Sequence, residues 1–180
     1  MFKEKKAAQI AAFFIRKNAK PISHLKLIKL LYLSDRKSFE RYGYSISDDY
    51  FVSMPHGPVL SKTLDLIHGY TKSGYWKNTI SNITNNTVSL LNPRRKDTSE
   101  LSRADKEILE YVWNNFGHMD KWEIRDYTHD NCGEWEDPLG SSHEIPLERL
   151  LTNVGWSAED IRNIVEMHRD NKSIDQAFCR

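Results

Sequence analysis

Apolar residues recur at three- and four-residue spacing along much of the chain, which is the spacing of amphipathic helices. The first such stretch covers residues 3–18. The second covers residues 23–42, where Ser23 fits the N-cap position and Gly43 follows at the place where a left-handed turn ends many helices. Shorter patterns of the same kind predict further helices over residues 59–72, 102–116, 120–127 and 147–151 and from 157 to about 170.

Strand patterns are short. Residues 44–52 alternate weakly between polar and apolar positions and predict one or two short strands. Segments 76–80 and 87–91 flank a polar turn ending in Asn86, which predicts a β-hairpin because Asn tolerates positive φ. Residues 54–58 are expected to be irregular, because proline supplies no backbone donor. The fold class predicted is α+β, mostly α: a compact helical domain with a small antiparallel β-sheet or hairpin.

Length and composition narrow the class of protein. A chain of 180 residues and 21.1 kDa fits one domain covering residues 1–180, with no separate DNA-binding domain. The mean hydropathy is −0.65, and no apolar run approaches the roughly 18 residues that a membrane span needs. No signal peptide is visible after Met1, so we expect a cytoplasmic protein. Cys132 and Cys179 are too few for a disulfide framework.

The net charge of +1 conceals a strong asymmetry between the two halves of the chain. Residues 1–96 hold 17 Lys and Arg against 6 Asp and Glu, whereas residues 97–180 hold 9 against 19. We interpret this mainly as two halves that attract each other in the fold. The alternative is that the basic half meets an acidic partner, such as nucleic acid or an acidic protein surface.

The second predicted helix carries the most informative charges. At 100° per residue its apolar side chains gather on one side, which is expected to face the core; they are Leu27, Ile28, Leu31, Phe39 and Tyr42. Basic side chains gather opposite as a predicted solvated stripe of Lys26, Lys29, Arg36 and Lys37. Asp35 falls within the apolar side. It can be a functional acid, a cap for the amides of another element, or half of a buried ion pair.

Candidate chemistry beyond this helix is sparse. His129, Cys132 and His143 are spaced such that zinc is one interpretation, with Glu134, Glu136 or Asp137 completing the ligands. The simpler interpretation is that His129 donates to a neighbouring carbonyl or carboxylate and packs near Trp135. The motifs of serine hydrolases, P-loop proteins, dinucleotide-binding proteins and zinc proteases are absent from the sequence. We therefore expect neither an enzyme nor a cofactor.

Three ordered segments resemble the Panacea antitoxin family, also called the SocA-like antitoxin domain. The first runs from residue 27 to residue 35, the second is a Gly-Pro-Val turn, and the third is a Thr-His pair followed by Trp. Their residues here are Leu27, Lys29, Leu30, Leu31, Tyr32, Asp35, Gly57, Pro58, Val59, Thr128, His129 and Trp135. Family members often carry an aromatic residue where this chain has His56, and Pro where it has Glu134. The resemblance extends from about residue 5 to residue 155.

The resemblance implies a mostly helical antitoxin without enzymatic activity, often carried by prophages. It also implies that the partner is a cognate toxin, expected from the adjacent gene, which is neutralised by direct protein–protein binding; self-association is left open. Candidate contact residues are Lys26, Lys29, Arg36, Lys37, His56, Trp122 and Trp135. Two alternatives are a nucleic-acid-binding regulator that uses the basic half, which we rank below the antitoxin, and a metal-dependent enzyme at His129, Cys132 and His143.

Overall fold

A computed structural model describes residues 1–178, with side chains up to residue 174 and at residue 177. Within this range the chain forms seven α-helices and two small antiparallel sheets. The helices are α1 Glu4–Asn18, α2 His24–Tyr42, α3 Ser61–His68, α4 Arg103–Phe116, α5 Lys121–Asn131, α6 Leu147–Asn153 and α7 Ala158–Phe178. The strands are β1 Ile22–Ser23, β2 Phe51–Met54, β3 Gly57–Leu60, β4 Thr87–Val88 and β5 His143–Glu144. The predicted α+β, mostly α class is confirmed.

Helix α2 is the centre of the fold. It packs against α1, α3, α4, α5, α6 and the strand β3, so that side chains on every side of it are buried. The predicted apolar side contributes Leu27, Leu31 and Phe39 to the core, while Tyr42 at the end of the helix is exposed. A helix surrounded in this way has no solvated stripe, so its charged side chains must find partners within the protein.

Helix ends follow the local signals closely. Gly43 ends α2 with φ of 70°, in the left-handed region. Ser102 and Asp105 form the capping box expected at the start of α4, and Asp120 and Glu123 form a second one before α5. Ser23 stands at the N-cap of α2, although its side chain makes no capping hydrogen bond.

Several predicted boundaries differ from the observed ones. Helix α3 begins two residues later than expected, because residues 59 and 60 belong to β3. It ends earlier than expected, at His68. Helices α5, α6 and α7 extend beyond their predicted ends, to residues 131, 153 and 178. The predicted helix ended at Tyr127 and a loop was expected from His129, yet Thr128 and His129 continue α5.

The expectation that residues 54–58 are irregular was wrong. Strands β2 and β3 form a hairpin in which Ser53 pairs with Pro58 and Met54 with Gly57, leaving Pro55 and His56 as its two-residue turn. The sheet order is β3-β2-β5, so β3 is an edge strand. A proline is tolerated there, because one side of an edge strand needs no hydrogen-bond donor.

The turn of the predicted hairpin around residue 86 is confirmed, but its two sides do not form the expected pair of strands. Asn85 and Asn86 have φ of 51° and 60°, as the asparagine pair indicates. Its two sides are joined by isolated bridges, Ile80 with Leu90 and Thr84 with Thr87, while residues 76–78 form a 3-10 turn. Strand β4 instead pairs with β1. Of the residues expected to alternate as strands before the first hairpin, only 51 and 52 lie in β2.

Ion pairs join the basic first half to the acidic second half. Four of them connect Lys5 with Glu100, Lys6 with Asp105, Lys17 with Glu110 and Arg36 with Glu134. The asymmetry of charge is thus used at least partly inside the fold, in agreement with the favoured interpretation. None of the helices in the described part of the chain is both long and apolar enough to cross a membrane.

Candidate functional site

The three signature segments meet at one place, where the middle of α2, the tip of the β2–β3 hairpin and the end of α5 pack together. Leu27, Leu30, Leu31 and Tyr32 are buried core residues of α2, and Val59 and Thr128 are buried on the two neighbouring elements. The side chains of Lys29 and His129 meet at Gly57 across this junction. We call the contact between α2, the hairpin and α5 the signature junction.

Lys29 lies in the middle of the signature junction with an exposed fraction of 0%. Its Nζ donates a hydrogen bond of 2.8 Å to the carbonyl oxygen of Pro58. Among the described side chains no carboxylate forms an ion pair with it. Burial lowers the pKa of Lys29 to about 7, because an ammonium group loses its hydration there.

Gly57 allows the hairpin to pack closely against Lys29 of α2 and His129 of α5. Its φ is +87°, which favours glycine. A Cβ at this position would lie 2.7 Å from Cδ2 of His129 and 2.8 Å from Nζ of Lys29. The absence of a side chain therefore permits the contact that joins all three segments.

Trp135 holds the end of β2 against α5. Its indole ring stacks on His129, with ring centroids 4.2 Å apart and an interplanar angle of 7°. Its Nε1 donates a 3.0 Å hydrogen bond to the carbonyl oxygen of Met54. The expectation that His129 packs near Trp135 is confirmed. Burial lowers the pKa of His129, and the charges of Lys29 and Arg125 lower it further.

Glu134 is the member of the junction that sequence reasoning did not single out for this role. It is 1% exposed, accepts a hydrogen bond from the hydroxyl of Tyr32, and pairs with Arg36 through Nε at 2.6 Å and Nη2 at 3.3 Å. Tyr32 and Arg36 lie one turn apart on α2, so one carboxylate reaches both. The only hint in the sequence was an acidic residue beside Trp135, where the family often has proline.

Neither a reactive thiol nor a metal site is found among the described residues of the junction. Burial raises the pKa of the Cys132 thiol to about 11, so the thiol stays protonated and is a poor nucleophile near neutral pH. Among the described residues no group of three or more His, Cys, Asp or Glu side chains could hold a metal ion. His129, Cys132 and His143 are thus not brought together as a zinc site. Cys179 lies outside the described residues.

Asp35 serves a different part of the fold from the rest of its segment. Its Oδ1 accepts hydrogen bonds from the backbone amides of Ile46 at 2.7 Å and Ser47 at 3.1 Å. Its Oδ2 accepts from the hydroxyls of Ser45, at 3.1 Å, and Ser47. Of the three open alternatives, the structure selects the cap for amides of another element. Burial raises the pKa of Asp35 to about 6 against the opposing effect of these hydrogen bonds.

The predicted solvated stripe on α2 was wrong. Lys29 is buried and Arg36 is held by Glu134. Lys26 donates to the carbonyl oxygen of Gly117 at 2.7 Å, and Lys37 pairs with Glu40 at 2.6 Å. The physical reason is that α4 and α5 cover the side of α2 that these residues occupy. All four side chains find partners within the chain, so no continuous basic surface remains there.

Two of the other candidate contact residues are exposed. His56 lies at the tip of the hairpin, and Trp122 lies at the start of α5 with 46% of its surface exposed. The cationic groups of Lys121 and Arg125 lie 4.8 Å from the centre of the Trp122 ring. Trp135 is half-buried. Residues 122, 126 and 129 follow one another at helical spacing, so Trp122 and the junction share one face of α5.

The arrangement of these segments agrees with the comparison to known families. The family model described as Antitoxin SocA-like, Panacea domain matches residues 27–136, which is more than half of the chain and includes all three signature segments. Comparison with curated proteins and with solved structures gave no match. The match and the convergence of its signature residues lead to one conclusion: the chain belongs to the SocA-like, Panacea-domain antitoxin family.

Proposed function

We propose that this protein is the antitoxin of a toxin–antitoxin pair and that it neutralises its cognate toxin by direct binding, as one domain. The observation that carries the proposal is the family match over residues 27–136. The toxin is the product of the adjacent gene.

The surface that best suits the toxin is the face of α5 together with the hairpin tip, which we call the α5 face. It presents His56 from a tight turn and Trp122 from the first turn of α5. Both belong to elements held by the junction, so little conformational entropy remains to be lost on binding. An exposed tryptophan flanked by two cations is also typical of residues that dominate interface energy.

Growth rescue tests the function directly. The adjacent gene is expressed alone and then together with this chain, and growth and co-purification are both measured. We expect growth arrest in the first case, and growth with a stable complex in the second. Arrest that persists on co-expression, with no complex recovered, contradicts the proposal.

A pair of variants tests the surface. Trp122→Ala removes the exposed ring and is expected to weaken toxin binding by roughly tenfold or more, since large aromatic anchors dominate interfaces. Tyr70→Ala is the matched control, because Tyr70 is 78% exposed, follows the C-terminal end of α3, and belongs neither to α5 nor to the hairpin tip. Binding is measured by titration calorimetry after circular dichroism shows both variants folded. Equal affinities for the two variants would place the contact elsewhere.

Nucleic-acid binding has less support from the geometry. The basic side chains that suggested it on α2 are engaged within the chain by Gly117, Pro58, Glu134 and Glu40. Phosphate contacts require accessible cations whose counterions are released on binding. The α2 stripe does not supply them.

A further inference from the structure

A groove of about 530 Å³ lies between residues 168–174 of α7, the N-terminal residues and the segment 44–50, outside the signature junction. Its walls include Phe2, Tyr44, Tyr50, Lys62, His168 and Lys172. We call it the α7 groove. Its volume falls within the roughly 300–1,000 Å³ of small-molecule sites. Neither the family match nor the proposed toxin contact accounts for this combination of cations and aromatic rings.

Among the described residues that line the α7 groove, lysines outnumber carboxylates, with Lys3, Lys62 and Lys172 against Asp48. The ammonium groups of Lys62 and Lys172 lie 5.0 Å and 4.6 Å from the centre of the Tyr50 ring. Among the described side chains neither lysine forms an ion pair with a carboxylate. The acidic wall residue Asp48 is already paired with Lys3 at 2.8 Å. Two like charges beside one ring, without a counter-charge of their own, favour an anion between them.

His168 lies in the wall of the groove, next to Lys172. Burial lowers the pKa of His168, and the neighbouring Lys172 ammonium lowers it further, while the carboxylate of Asp48 raises it. Its ring also lies edge-on to Phe39, 6.4 Å between centroids, which ties α7 to the core. Lys172 therefore lies close enough to His168 to act on it, and the contact with Phe39 holds this part of α7 against the core.

Aromatic rings give the groove a second kind of binding capacity. Tyr44 and Tyr50 are both exposed, with 48% and 37% of their surfaces accessible. Tyr44 already stacks on Tyr42, with centroids 5.6 Å apart and planes 16° from parallel. Planar ligands gain energy from offset stacking on such rings. Cations beside the same rings select planar ligands that are also negatively charged.

We propose that the α7 groove binds a small anionic molecule that carries both an aromatic ring and a phosphate or carboxylate group. The anionic group lies between the ammonium groups of Lys62 and Lys172, and the ring packs against Tyr44 and Tyr50. This site is separate from the α5 face and does not depend on the proposed toxin binding. The ligand class is defined by this combination of charge and ring.

Calorimetric titration of the full chain at low ionic strength tests the proposal with four probes. AMP and indole-3-acetate carry both an anion and a ring, pyrophosphate carries charge alone, and adenosine carries a ring alone. We expect at least one ring-bearing anion to bind tenfold or more tightly than pyrophosphate and adenosine. Tighter binding of AMP identifies phosphate as the anionic group, whereas tighter binding of indole-3-acetate identifies carboxylate.

Paired variants show where the ligand binds. The double change Lys62→Gln and Lys172→Gln is expected to weaken binding of the better probe by tenfold or more. The matched control is Lys72→Gln with Lys77→Gln, which removes two exposed lysines outside the groove and is expected to leave affinity unchanged. Tyr50→Leu is expected to weaken the ring-bearing probe while leaving pyrophosphate unaffected.

Three results would overturn the proposal. These are no binding of either ring-bearing anion at millimolar concentration, equal affinity for pyrophosphate and the better ring-bearing probe, or equal loss in the groove and control lysine variants. The wild-type probe comparison stands even where a variant fails to fold. Because toxin rescue is measured independently in cells, failure here leaves the antitoxin test unaffected, and the converse also holds.

Discussion

Two charged side chains on α2, Lys29 and Asp35, are both almost completely buried, yet they differ in how many hydrogen-bonding partners surround them. Asp35 accepts four hydrogen bonds, from two backbone amides and two serine hydroxyls. Lys29 donates one hydrogen bond of 2.8 Å, to the carbonyl oxygen of Pro58. Asp35 therefore organises the segment that follows α2, whereas Lys29 is a buried cation with little compensation.

The comparison teaches that burial alone does not reveal what a charge contributes. A buried group surrounded by matching donors stabilises the elements that supply them, and its removal leaves several polar groups unpaired. A buried ammonium without a counter-charge costs free energy of its own, and its removal takes that cost away. Three predictions test this difference, from the largest expected effect to the smallest.

Asp35→Ala is expected to lower the free energy of unfolding by about 3–4 kcal/mol, because it leaves the amides of Ile46 and Ser47 and two hydroxyls without their acceptor. Urea denaturation measures the change. Asp35→Asn keeps one acceptor oxygen and should lose less. A loss below about 1 kcal/mol for the alanine variant would mean that water replaces the carboxylate and that the two buried charges do not differ as described.

Gly57→Ala tests how tightly the Lys29 region is packed. The added Cβ would press on His129 and Lys29 and would also meet the unfavourable φ of +87°, so we expect a loss of about 2–3 kcal/mol. Gly140→Ala is the matched control, since Gly140 has φ of +86° and no atom within 4 Å of an added Cβ. The control should lose about 1 kcal/mol. Equal losses, measured by urea denaturation, would show that backbone conformation explains the whole effect.

Lys29→Met is expected to change the free energy of unfolding at pH 7 by no more than about 1 kcal/mol, because an apolar side chain of similar length replaces the desolvated ammonium. The clearer result is in the pH dependence. The pKa of Lys29 is 10.5 in the unfolded chain and about 7 in the fold. Between these values the unfolded state binds more protons, so the stability contributed by this group rises with pH.

The measurement compares wild type with Lys29→Met by urea denaturation from pH 7 to pH 9. Wild-type stability should rise relative to that of the variant across this window. The sign is opposite for Asp35, whose raised pKa makes its contribution fall as pH rises from 3.8 to about 6. A constant difference between wild type and Lys29→Met would contradict the view of Lys29 as an uncompensated buried cation.

Much of the fold could be predicted because its signals are local. The capping box of Ser102 and Asp105, the glycine after α2 and the turn at Asn85 and Asn86 each depend on a few neighbouring residues. The hairpin of β2 and β3 escaped prediction because its proline is acceptable only on an edge strand. Whether a strand lies at an edge is a property of the assembled sheet.

The sequence identified the signature segments but not all of the contacts among them. The signature segments were identified from the sequence, and the structure brings them together at Gly57, Lys29 and His129. The basic stripe on α2 was mispredicted, because helical periodicity assumes that one side of a helix faces water. Glu134 escaped notice because its two partners, Tyr32 and Arg36, lie about a hundred positions earlier in the chain.

The sequence by itself determined that these helices exist and how several of them are capped, the α+β class and membership of an antitoxin family. It could do so because caps, turns and signature segments are set by residues close together in the chain. Only the tertiary structure decided that Lys29 is buried without a counter-charge, that Asp35 caps a loop, and that Lys62 and Lys172 share one ring. These outcomes depend on which distant elements cover a side chain and which hydrogen-bonding partners they bring.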